Sequence, residues 1–100
     1  MIDNEYTNEK IDEIINFVGE ENPEATMFRD PDFYNAIVGY YYNAFDLPVF
    51  VYKYDKMVEC LMNEYDDSED AYMDAIEWIE YNTLRTLPYI DAKGRPIIIY

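Results

Sequence analysis

One hundred residues carry 22 Asp and Glu against seven Lys and Arg, for a formal charge of -15, and half of them are apolar. That balance disfavours nucleic acid and anionic membrane as direct partners and favours a basic protein surface. An aromatic content of 18% excludes a merely disordered acidic chain. With no histidine, and with Cys60 as its single cysteine, the chain has no internal disulfide, no imidazole base and no His or thiolate metal cluster.

The first predicted element is a helix over residues 8–20, because Ile11, Ile14, Ile15 and Val18 recur at i, i+3, i+4 and i+7, with Thr7 as N-cap and Gly19 and Pro23 at its end. Residues 20–24 read as a polar turn. The stretch Ile37-Val38-Gly39-Tyr40-Tyr41-Tyr42 is β-branched and aromatic, and its glycine would cost a helix about 1 kcal/mol, so it reads as a strand. Laying 30–45 on 69–84 aligns Ala36-Ile37 with Ala75-Ile76 and Tyr42-Asn43 with Tyr81-Asn82; the strand composition argues that this match is chance. Residues 43–47 supply a turn and Pro48 opens a second strand over 49–54, giving an antiparallel hairpin. A further strand near 26–28 would join it.

Asp55 then caps a short helix whose stripe is Met57, Val58, Leu61 and Met62, ending near Tyr65. Asp66, Asp67 and Ser68 form a turn that caps a longer helix over 69–84, with Tyr72, Ala75, Ile76, Ile79 and Thr83 on its buried side. Pro88 stops the helix, Lys93 and Gly94 turn the chain, and 96–100 form a short strand whose three isoleucines imply that both faces are covered. Cys60 sits among core-type residues and Arg85 is placed to tie the helix end to the turn. The expectation is one α+β domain spanning 1–100: an N-terminal helix, an antiparallel hairpin or small sheet, two helices and a short C-terminal strand.

The run Val51-Tyr52-Lys53-Tyr54-Asp55-Lys56-Met57-Val58-Glu59, then Ala75-Ile76-Glu77-Trp78-Ile79-Glu80-Tyr81-Asn82-Thr83-Leu84-Arg85-Thr86-Leu87-Pro88-Tyr89 and a Pro-led apolar ending, resembles a family of small phage and prophage proteins without an assigned biochemical activity. The likeness covers about residues 25–100. It departs from the family at residues 43–47, where a short Asp-Gly turn is usual, and at Lys53, where an acid is usual. The resemblance implies a viral or mobile-element setting and supports the hairpin; it carries no catalytic residue over.

Three glycines, all far apart, make no phosphate loop. Carboxylate pairs lack specificity as an acid–base signal when 22 carboxylates are available. Asp66, Ser68, Asp70, Tyr72, Asp74 and Glu77 match the ligand positions of a calcium loop, but Ala71 stands where the sharp turn requires glycine, and the same acids suit a helix start. No catalytic residue, metal or cofactor is therefore expected.

The candidate partner-binding residues are Asp66, Asp67, Asp70, Asp74, Glu77 and Glu80, with Tyr41 and Tyr81 as apolar anchors. Asp70, Asp74 and Glu77 fall on one helical stripe whose neighbours sit about 5–6 Å apart, a spacing comparable with that of phosphates along a DNA strand. The functional expectation is a non-enzymatic binding protein of the host cytoplasm: a DNA mimic, or an inhibitor of a basic nucleic-acid-binding host protein of the restriction or CRISPR kind. The alternative is a structural or oligomerisation module in which the chain pairs with a second copy as a homodimer. No apolar run approaches the ~20 residues of a membrane span.

Overall fold

The computed structural model describes residues 8–29, 32–62 and 70–100. It is an α+β fold in which helices cover one face of a three-stranded sheet. Helix α1, Asn8–Glu21, passes through Gly19 for two further residues and buries Ile11 and Val18. A 3-10 turn, Tyr34–Ala36, leads into strand β1, Ile37–Tyr42. Strand β2, Pro48–Lys53, runs without a linker into helix α2, Tyr54–Met62. Helix α3, Ala71–Trp78, is followed by a π-turn, Ile79–Thr83, and a 3-10 turn, Leu84–Tyr89; strand β3, Ile97–Ile99, closes the sheet.

β1 and β2 pair antiparallel, with Ile37 opposite Tyr52, Tyr40 opposite Phe50 and a bulge between Ile37 and Gly39. The strand reading of 37–42 thus holds, and the apparent repeat does not, since its second copy is helical. The hairpin turn is built on Asn43, whose Oδ1 accepts the Phe45 N–H at 2.9 Å and the Leu47 N–H at 3.1 Å. Its backbone N–H donates to the Leu47 carbonyl at 2.9 Å, while Asp46 takes the left-handed conformation at φ 61°, which Asp tolerates better than most residues.

β3 lies beside β2 and parallel to it, with Val51 opposite Ile97 and Lys53 opposite Ile99. As an edge strand it is not covered on both faces: Ile98 packs against the core, whereas Ile99 is 43% exposed. Residues 26–28 are not a strand. They lie against the core without regular secondary structure, tied by the Thr26 N–H to the Gly94 carbonyl and by the Phe28 N–H to the Tyr52 hydroxyl, both at 2.9 Å.

Residues on one strand face share cross-strand partners, so Ile37, Phe50 and Tyr52 point together into the core with Met57, Val58 and Leu61 of α2 and Ala75 and Ile79 of the last helical segment. Phe28 packs at a tilt against Tyr52 at 5.0 Å and meets Phe33 edge-on at 6.1 Å, closing this core under residues 26–29 and 32–34.

A polar clasp joins the ends of the fold. Asn22 is 1% exposed; its amide donates to the Pro48 carbonyl at 3.0 Å and the Lys93 carbonyl at 2.8 Å, and its Oδ1 accepts the Glu24 N–H at 3.2 Å. Asn43 donates to the same Lys93 carbonyl at 3.0 Å. Gly94 is needed in this turn because a Cβ there would collide with the Glu24 carbonyl. Arg95, not Arg85, ties the end of the helical segment to the turn, through its guanidinium to the Ile90 carbonyl at 2.9 Å and the Pro88 carbonyl at 3.4 Å.

Candidate partner-binding surface

The acidic stripe depends on how the last helical segment is wound. Ala71, Ala75, Ile79 and Thr83 are its buried row, a strict four-residue spacing that drifts about 40° per step on a regular α-helix. The π-turn offsets that drift: the Leu84 N–H donates to the Ile79 carbonyl five residues back, which keeps Ile79 and Thr83 turned to the core. The Asn82 side chain donates to the Trp78 carbonyl at 3.0 Å and supports the wider turn. Ala71 and Ala75 take the buried side, and Tyr72, expected there, is half-exposed instead.

Asp70, Asp74 and Glu77 are exposed along the outer side of this segment, with the Asp74 N–H donating to the Asp70 carbonyl at 2.8 Å. Tyr81, four residues beyond Glu77, continues the row at 66% exposure, and Glu80 is exposed beside it in the π-turn. The Arg85 guanidinium lies 5.6 Å from the Tyr81 ring centre, so this cation stacks on the anchor rather than bridging to a turn. Exposed Met73 adds an apolar neighbour. Asp66 and Asp67, the remaining acids assigned to the surface, lie outside the described residues, as does Ser68. Tyr41 is exposed too, but on the sheet face turned away from the helices, so it does not join the stripe.

Tyr54 and Tyr100 pack ring to ring at 4.9 Å. Burial, then the nearby charges of Glu80, Tyr100, Tyr72 and Asp55, push the Tyr54 phenol up. Burial is also the main cause that pushes Tyr52 well above its ordinary range, opposed by the hydrogen bond from the Phe28 N–H. Tyr34 is raised by its hydrogen bond to Asp12, at 2.8 Å.

The calcium-loop positions from Ala71 onward are helical, which strings Tyr72, Asp74 and Glu77 along a helix rather than around an ion. Among the described residues no group of three or more His, Cys, Asp or Glu is placed to hold a metal, and no helix is long and apolar enough to cross a membrane. The clasp around Asn22 and the anchoring role of Tyr52 were not foreseen; the only signal for Asn22 was an asparagine set directly after a helix and before Pro23. No family model, curated protein or solved structure matches the chain.

Proposed function

We propose that this protein is a non-enzymatic acidic binding protein that occupies the nucleic-acid groove of a basic host protein, as a DNA mimic. The observation that carries the reading is the exposed row Asp70, Asp74, Glu77 and Tyr81, held on a helical segment whose opposite row is fixed in the core. Fixed carboxylates at about 5–6 Å intervals can be matched by a groove of lysines and arginines in a way that mobile ones cannot. Tyr81 and Met73 give such a partner apolar ground beside the charge, the usual composition of an interface centre. The charge of -15 supplies long-range attraction. The resemblance of residues 25–100 to small phage and prophage proteins supports a setting in which restriction or CRISPR enzymes are the target class.

The test is retention of basic proteins from a bacterial lysate on the immobilised chain at low and high salt. The triple variant Asp70→Lys, Asp74→Lys, Glu77→Lys is expected to lose what the wild type retains. Reversing three carboxylates of α1, Glu9, Glu13 and Glu20, should leave retention largely intact. Equal loss in both variants would reduce the interaction to bulk charge and refute the stripe.

A further inference from the structure

We infer that the cleft between α1 and the edge strand β1 is a binding site for a small amine with a flat apolar body, its ammonium set against Glu13 and its body against β1. The inference is independent of the acidic stripe and of any protein partner. Lys10, Glu13, Ile14 and Phe17 form one wall and Val38, Gly39 and Tyr40 the other, around a cleft of about 470 Å³. That volume falls within the roughly 300–1,000 Å³ of small-molecule sites. The α1 residues span two turns, on the order of 10 Å, with Lys10 at one end and Phe17 at the other. The Phe17 ring meets the Tyr40 ring at 4.7 Å, and Tyr40 remains 44% exposed.

Gly39 is the residue that points to a ligand. No glycine of the chain has a positive φ, so the backbone at Gly39, beside the bulge, does not call for glycine. No neighbour calls for it either, since a Cβ there would have nothing within 4 Å. A glycine inside a strand weakens it, and one that its own chain does not require often marks the close approach of a ligand. Here it leaves bare backbone in the wall of the cleft, against which a ring can lie flat.

Charge selects the ligand. Helix α1 carries Glu9, Asp12, Glu13, Glu20 and Glu21 against Lys10 alone, on a chain of formal charge -15, so the field at the cleft concentrates cations and repels carboxylates. Glu13 is the acid among the lining residues, and it stands one turn from Phe17. An ammonium between the Glu13 carboxylate and the Phe17–Tyr40 ring pair gains a charge-assisted hydrogen bond and cation–π attraction. It also sits at the end of the cleft away from Lys10, while the apolar body covers Ile14, Val38 and Gly39. A ligand carboxylate would have Lys10 as its cation and would face Glu13 at the same mouth.

An amide NMR titration of the full chain with phenethylamine, and with hydrocinnamate as an anion of similar shape, tests the proposal. The amine is expected to give saturable shifts at Glu13, Phe17, Gly39 and Tyr40, with dissociation in the range of about 0.1–10 mM, and the acid none. Glu13→Gln and Tyr40→Ala should each weaken binding about fivefold or more. Glu20→Gln removes the same charge from the same helix outside the cleft and should leave binding within about twofold of the wild type. All three substituted side chains are exposed, and circular dichroism checks that the variants fold; should Tyr40→Ala not, the comparison of Glu13→Gln with Glu20→Gln decides alone. Unsaturated shifts spread over the acidic residues, hydrocinnamate bound as tightly as phenethylamine, or equal loss in the two Gln variants would each overturn the proposal.

Discussion

Replacing Asn22 by alanine removes three hydrogen bonds at once while deleting little apolar contact. The Lys93 carbonyl keeps a partner in Asn43, at 3.0 Å, but the Pro48 carbonyl and the Glu24 N–H lose the side-chain partners they have in the wild type. A buried polar group left unpaired costs about 1–3 kcal/mol, and the Pro48 contact is the buried one, so the expected loss is about 2–4 kcal/mol. For a domain of this size that lowers the melting temperature by roughly 10–25 °C. Urea unfolding followed by circular dichroism reads the change directly. Asn22→Asp sharpens the test, since a carboxylate donates to neither carbonyl. Its pKa in the folded chain must rise above the unfolded value of about 3.9, so the variant stands nearest the wild type below about pH 4 and falls behind as pH rises through the folded pKa. A loss under about 0.5 kcal/mol for Asn22→Ala, the range of an ordinary surface substitution, would refute the claim that this clasp joins α1 to the hairpin and the 91–94 turn.

Tyr52 titrates above its ordinary range in the folded chain, so its contribution to stability is full below about pH 10, where the unfolded phenol begins to ionise, and is lost as pH rises through the folded value. Unfolding free energy should fall above that point by up to about 1.4 kcal/mol per pH unit for this proton, and Tyr52→Phe should flatten the decline; an unchanged slope would count against it. At neutral pH the same variant leaves the Phe28 N–H without its acceptor and should be destabilised by about 1–2 kcal/mol in urea unfolding. Gly94→Ala places a methyl group against the Glu24 carbonyl and should cost about 1–3 kcal/mol, whereas Gly39→Ala meets open space. Raising salt from about 0.01 to 0.15 M shortens the screening length from roughly 30 to 8 Å and should raise the melting temperature; a flat or falling response would mean that self-repulsion is not limiting.

Much of the fold was legible because its signals are local. The 3.6-residue spacing in α1, Gly39 among β-branched and aromatic residues, and Pro48 at the head of β2 each act within a few residues, and each was read correctly. What escaped depends on distant neighbours. No local pattern tells whether Ile97–Ile99 lies inside a sheet or, as it does, at its edge parallel to β2. The three isoleucines therefore suggested more cover than they have. Periodicity alone turned Tyr72 inward, although Ala71 can present a flatter surface to the core. Arg95 takes the tie assigned to Arg85 because its guanidinium meets the Ile90 and Pro88 carbonyls, an arrangement that sequence does not encode locally. For the candidate site, Asp70, Asp74 and Glu77 were legible as one stripe from their spacing, whereas the continuation of that row to Tyr81 was not. The π-turn that sets its far end was not legible either, since it answers to the burial of Ile79 and Thr83.

The central claim is that a partner reads the fixed stripe as it would read DNA. It is tested most directly by displacing labelled duplex from a basic protein captured by the chain, followed by fluorescence anisotropy. Mimicry predicts stoichiometric displacement by the wild type, weakening steeply with salt, and none by the Asp70→Lys, Asp74→Lys, Glu77→Lys variant. Simultaneous binding of duplex and wild-type chain to the captured protein, or displacement by the triple variant at wild-type concentrations, would contradict it.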